Sequence, residues 1–179
     1  MTGYVALLRG VNLAGRNLVS MASLPPIFGA LGYREVATFI ASGNVLFAAD
    51  ALDDDAATTI ESALEATIGR PIGVVLRSRD ELGACVTHNP YPHAGPKGPY
   101  VTFLADHPSA RTVDRLTKAR QDPEELTING RDVYLHLPAG AGRSKLATAV
   151  AGLPDDPRAT TRNWNTVTKL LDLCAKRDG

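Results

Sequence analysis

At 179 residues and 44% hydrophobic, the chain is long enough for one domain or two small ones and apolar enough to build a core, which excludes a disordered protein. Nineteen Lys and Arg cancel nineteen Asp and Glu, so the whole molecule lacks the positive field of a nonspecific nucleic-acid binder. Cys85 and Cys174 are far apart, Met1 to Ala14 has no secretory signature, and no apolar run reaches the roughly 20 residues of a bilayer span. A cytoplasmic protein with buried thiols, no metal, no cofactor and no membrane contact is the expectation.

Tyr4 to Arg9, YVALLR, reads as a buried strand. Ser20 can cap a helix that runs to Leu31 and closes at Gly32, although Pro25 and Pro26 shorten it or set its start. EVATFI and VLFAA, joined by Ser42-Gly43-Asn44, carry a hairpin signal. Asp53 to Ile68 has Ile60, Leu64 and Ile68 at helical spacing, with Gly69 and Pro71 after it. Ile72 to Arg77 is a strand, and Ser78 with Glu81 has capping-box spacing before another helix.

The same order then returns. Tyr100 to Asp106 reads as strand, Pro108 to Ala119 as helix, ELTI and DVYLHL as a hairpin around Asn129-Gly130, and Ser144 to Val150 as helix. Ala159 to Arg162 is the last strand and NWNTVTKLLDLC the last helix, with Asn163 as its cap. The junction Arg77 to Leu82 matches the junction Arg162 to Val167 in place. The expected fold class is α+β, a tandem duplication of a ferredoxin-like (βαββαβ) unit, each followed by an extra helix: residues 1–90, a turn-rich linker at 91–99, and residues 100–179. Strands such as Tyr4 to Leu8 and Tyr134 to Leu137 are apolar on both faces, so the face without helices is expected to be covered by the sister unit, a second chain or a ligand. Monomer and homodimer are both compatible with that.

LLRGVNLAGRN, ASGNVLF, HNPYP, RSKL and TRNWNTVTKLL together resemble the domain-of-unknown-function family 1697, bacterial proteins of about this length. The resemblance runs from end to end. It implies a two-part α+β fold and brings no activity, substrate, cofactor or catalytic residue with it.

Polar clusters supply the candidate sites. In such a unit the first and third strands are expected to run the same way, so Arg9, Asn12, Arg16 and Asn17 gather with Asp53 to Asp55 at one end. The Ser42-Gly43-Asn44 turn then lies with Arg77 and Ser78 at the other. In the second half the corresponding groups are Pro138 to Leu146, with Arg143, Ser144 and Lys145, and Asn129-Gly130-Arg131 with Arg162 and Asn163. Glycines let a backbone approach an anion, arginine offers a planar donor fork, and a helix start adds free N–H groups. The alternatives are ordinary turns, caps and ion pairs. Pro138 to Leu146 lacks the order of a Walker loop. The four histidines, His88, His93, His107 and His136, have no metal-ligand spacing, and His88 is a possible general base only if a cleft forms beside it.

Three function classes follow. The first is a protein that binds a small anionic ligand, phosphate- or carboxylate-bearing, in loops at or near the cleft expected between the units, through Arg9, Asn12, Arg16, Asn17, Ser42, Asn44, Arg143, Ser144, Lys145, Arg162 and Asn165, with turnover of that ligand left open. The second is a nucleic-acid module that stacks bases on Tyr4, Phe47, Tyr100, Phe103 and Tyr134. The third is a protein-interaction scaffold. The charge split favours an anion in the second half: up to Ala94 there are 6 basic and 9 acidic residues, net −3, and after it 13 and 10, net +3. Trp164 is either an anchor between the units or the wall of a pocket.

Overall fold

A computed structural model describes residues 1–12, 18–92, 94–95 and 98–178. It shows a mixed α+β fold with two four-stranded antiparallel sheets and six α-helices among the described residues. In chain order these are β1 (Thr2–Leu8), α1 (Leu24–Ala30), β2 (Arg34–Phe39), β3 (Asn44–Ala49), α2 (Ala56–Ile68), β4 (Val74–Ser78) and α3 (Arg79–Thr87), then β5 (Tyr100–Phe103), α4 (Ala110–Ala119), β6 (Glu125–Asn129), β7 (Asp132–His136), α5 (Lys145–Ala151), β8 (Thr160–Asn163) and α6 (Trp164–Ala175). None of the described helices is long and apolar enough to cross a membrane. Arg16, Asn17 and His93 lie outside the described residues.

The residues form two compact units, Met1–Ala84 with Lys169–Gly179, and Cys85–Thr168. Both boundaries fall inside helices, α3 and α6. In the first unit the strand order is β2-β3-β1-β4. Ala6 and Leu8 of β1, Val45 and Phe47 of β3 and Val74 of β4 pack with Leu24 and Phe28 of α1 and Ile60 and Leu64 of α2. Val5, Leu7, Leu46 and Val75, which alternate with these along the strands, are buried too. The end of the chain belongs to this unit: the Gly3 amide donates to Asp178 Oδ1 at 2.7 Å, and Arg177 Nε donates to the Glu35 carbonyl at 2.9 Å. A Cβ on Gly3 would collide with the Cys174 carbonyl oxygen, so only glycine lets α6 come this close to β1.

The second unit has the order β6-β7-β5-β8. Its core joins Leu104, Val133, Leu135 and Ala159 to Leu116 of α4 and Leu146 and Val150 of α5. Tyr134 is fully buried and donates to the Cys85 carbonyl of α3 at 2.8 Å.

Strand direction corrects one expectation. β1 is antiparallel to β3 in the first unit, with Leu7 opposite Asn44, and β5 is antiparallel to β7 in the second, with Tyr100 opposite Leu135. A tight hairpin reverses the chain, so β3 opposes β2, while the helical crossover returns β2 in the direction of β1. The first and third strands therefore run oppositely, and α1 and α2 start from opposite ends of the sheet.

The helix ends show why these segments form where they do. Glu81 N–H donates to Ser78 Oγ at 3.2 Å while Ser78 N–H donates to Glu81 Oε2 at 2.8 Å, a complete capping box. Asn163 Oδ1 accepts from the Thr166 amide at 2.9 Å and starts α6. Ser20 makes no such side-chain cap. A 3-10 turn, Met21–Ser23, leads into α1, and Pro25 and Pro26 occupy the first turn, where a missing donor loses no helical bond.

Candidate functional site

Because the third and fourth strands of each unit both oppose the first, both exit at the end where the first strand begins. In the second unit, Leu135 of β7 and Asn163 of β8 both stand opposite Tyr100, the first residue of β5. A cleft of about 300 Å³ opens here, lined by Ala94, Gly98, Tyr100, His136 and the turn Leu137 to Gly140. That turn is closed by the Gly140 amide, which donates to the Leu137 carbonyl at 2.8 Å, and Gly140 sits in the left-handed region at φ 81. Gly98 packs on Trp164: a Cβ there, at φ 59, would lie 2.6 Å from Trp164 Cβ and 2.8 Å from Cγ. The tryptophan thus backs the wall of the cleft.

His136 and Tyr100 are the titratable side chains among the described lining residues. His136 Nδ1 is 3.2 Å from Glu125 Oε2, and since a carboxylate accepts, the imidazole nitrogen donates. The two residues are cross-strand neighbours of β6 and β7. The Tyr91 ring lies 5.7 Å from the imidazole at 33°, and its hydroxyl is 2.8 Å from Thr127 Oγ1. Burial raises the Tyr91 pKa above 10.0.

The first unit has a cleft in the same topological place, where β3 exits and α2 begins. It measures about 690 Å³, and its lining includes Tyr33, Arg34, Asp50, Asp53 and Asp55. Arg34 pairs with Asp50 at 3.1 Å in the open. Tyr33 has its pKa raised from 10.0 by burial first and by the charge of Asp53 second. Among the described residues no three His, Cys, Asp or Glu side chains are grouped to hold a metal ion.

The other candidate residues are placed as follows. Arg9, Asn12, Ser42 and Asn44 meet at the far end of the first sheet, where β1 exits into the β2–β3 turn, and not with Asp53 to Asp55 or Arg77. The Arg9 amide donates to Gly73 and the Leu8 amide to Gly43, both at 2.8 Å. Asn12, at φ 54, spends its side chain on the loop itself: Nδ2 donates to Val19 and Ala41 carbonyls at 3.0 and 2.8 Å, and Oδ1 accepts from the Val19 amide at 2.7 Å. Asn44 is fully buried and donates to the Phe39 carbonyl at 3.0 Å and Ser42 Oγ at 3.2 Å. These asparagines hold a turn together, and the polar chemistry read as ligand-binding is largely consumed by it.

In the second unit, Asn129 to Arg131 lies at the opposite end from Arg162, again because β7 opposes β5. The Pro138 to Lys145 segment and the Arg162 to Asn165 segment, expected apart, both leave strands at the cleft end. Ser144 Oγ accepts from the Ala147 amide at 2.9 Å and is a cap, while Arg143 and Lys145 are exposed. Asn165 is exposed in the first turn of α6. Arg162 is buried, donating to Thr160 Oγ1 at 2.7 Å and the Thr161 carbonyl at 2.9 Å, and burial pulls its pKa down to about 10, so it stays charged at neutral pH. Phe47, Phe103 and Tyr134 are fully buried, and Tyr4 stacks on Phe47 at 5.7 Å, so these aromatics serve packing.

His136 was not among the residues singled out by sequence. A signal for it exists. A two-residue turn at Gly130-Arg131 pairs Asn129 with Asp132, and counting outward in that register sets Glu125 opposite His136.

A family model described as a protein of unknown function, DUF1697, matches residues 1–134. No curated protein matches. Among solved structures, the conserved bacterial protein SP0830 from Streptococcus pneumoniae is similar, with a TM-score of 0.76 and 20% identity, covering 97% of this chain and 98% of that one. At that identity the likeness concerns the fold.

Proposed function

Since the chain belongs to the DUF1697 family, its activity has to be argued from its own residues, and we propose that it binds a small anionic ligand, phosphate- or carboxylate-bearing, in the cleft of the second unit. The carrying observation is the cleft itself, about 300 Å³ beside His136 and the glycine-bearing turn Leu137 to Gly140. Arg143 and Lys145 follow that turn and are exposed, so they supply positive charge near it at the energy scale of solvated ions. The volume suits a compact metabolite and is at the lower limit of small-molecule pockets. Arg9, Ser42 and Asn44 leave this reading, because their end of the first sheet is knitted by its own turns.

The same reading takes the two units as copies of one ferredoxin-like fold. Support comes from the shared element order and the shared strand order, second-third-first-fourth, in both sheets. It also takes the protein as cytoplasmic, in keeping with Cys85 and Cys174 being thiols and not a disulfide.

The test is thermal unfolding with inorganic phosphate and with a panel of phosphorylated and carboxylated metabolites. Ligand at about ten times its Kd stabilises by about 1.4 kcal/mol. The wild type gains this, and His136→Ala with Lys145→Ala loses it. A melting temperature that no anion moves would sink the proposal.

A further inference from the structure

We propose that this cleft is also a proton-transfer site, in which His136 is the catalytic base and Glu125 positions it; the inference rests on the anion-binding reading above. Three observations carry it. Glu125 occupies Nδ1 at 3.2 Å, which selects the tautomer with the proton on Nδ1 and the lone pair on Nε2. Tyr91 packs against the imidazole at 5.7 Å and is itself tied at 2.8 Å to Thr127, so the ring is held on a second side. The histidine lines a cleft, and Glu125 takes up only Nδ1 of its two ring nitrogens. When Nε2 takes a proton, the imidazolium that forms lies against the Glu125 carboxylate, which stabilises the charge.

The lining also selects the reaction. Among its described residues, Ala94, Gly98, Tyr100, Leu137, Pro138, Ala139 and Gly140, there is no serine, threonine or cysteine for the histidine to activate. The one hydroxyl of that lining is the phenol of Tyr100, and the base acts on the ligand itself. An imidazole removes a carbon-bound proton at a useful rate only where neighbours acidify the bond, which in a small anion means a C–H next to a carbonyl. The substrate class is therefore a 2-oxo acid or a keto-sugar phosphate. In the step, Nε2 takes the proton, the C–H electron pair becomes the C=C bond of an enolate, and the carbonyl pair moves to oxygen. Return of the proton to carbon closes the cycle without oxidant or reductant.

The experiment uses the full chain in D2O with pyruvate, 2-oxoglutarate and dihydroxyacetone phosphate, reading loss of the C–H signal by proton NMR. At least one probe exchanges faster than in buffer, and His136→Gln lowers that rate by about 100-fold, the scale of a positioned general base. Long-range 15N spectra of the wild type show the neutral His136 ring carrying its proton on Nδ1, and Glu125→Gln shifts the neutral ring toward the other tautomer. Three results overturn the inference: no exchange of any probe, exchange that survives His136→Gln, or a neutral wild-type ring carrying its proton on Nε2. Phosphate protection read in parallel separates the two ideas. Protection without exchange sinks proton transfer alone, and loss of protection sinks the binding reading beneath it.

Discussion

The two clefts occupy the same place in two sheets of the same strand order, yet one is lined by Asp50, Asp53 and Asp55 and the other by His136 and a glycine-bearing turn. In the first, the only cationic residue among the described lining residues, Arg34, is already paired with Asp50. In the second, the carboxylate, Glu125, stands behind the histidine. The position in the fold comes with a gap, because third and fourth strands exit beside the first strand's start. The side chains of the following loop decide what enters. Strand order thus places a cleft at the same sheet end in both units, and the charge of the lining differs between them.

The glycines of the clefts give the sharpest way to test whether their walls differ as much as their charge. Gly32 and Gly98 both have positive φ, 87 and 59, but a Cβ at Gly32 meets nothing within 4 Å, whereas at Gly98 it strikes Trp164. Gly98→Ala is expected to cost about 3 kcal/mol, adding left-handed strain of about 1–2 kcal/mol to overpacking. Gly32→Ala should cost only the strain, about 1 kcal/mol. Urea unfolding of both variants decides it. Equal losses would mean that Trp164 does not form the wall.

Ligand experiments come next in size. Phosphate should perturb the amides of Gly98, His136, Leu137, Ala139 and Gly140 and leave those of residues 32–34 and 50–56 unmoved in 1H–15N spectra. Asp53→Asn should leave phosphate protection as it is. Perturbation at both ends would erase the distinction between the clefts. A smaller effect belongs to Lys145, an exposed cation: Lys145→Ala should weaken phosphate binding by about 2–3-fold, and raised salt should hide the change. A loss of tenfold or more would make Lys145 a direct ligand.

Much of this was legible in the sequence, and the failures have physical causes. Local signals did well: Ser78 with Glu81 and Asn163 with Thr166 cap as their spacing implies, because a cap depends on residues three apart. Strand direction failed because it depends on how hairpin and crossover combine, which no single segment carries. Asn12 and Asn44 bond their own loop, and the sequence cannot tell an amide that does so from one that binds a guest. His136 was read only as one of four histidines without metal-ligand spacing, because its partner Glu125 lies across the sheet, eleven residues away.

The smallest predicted effect tests the acidic cleft directly. Tyr33 has its pKa raised by burial and then by Asp53, whereas the shift of Tyr91, beside the other cleft, comes from burial with Glu125 as a lesser cause. A phenol raised in the folded state binds its proton more tightly there than in the unfolded chain. Its contribution to stability is complete below the ordinary value of 10.0 and is lost as pH rises through the folded value. Asp53→Asn removes only the second cause, so Tyr33 should titrate at lower pH than in the wild type but still above an ordinary tyrosine, with Tyr91 unchanged. Tyrosine 13Cζ shifts followed above pH 9 resolve the two rings. If Tyr33 does not move, Asp53 does not face it across the cleft; if both move, the two clefts are not electrostatically independent.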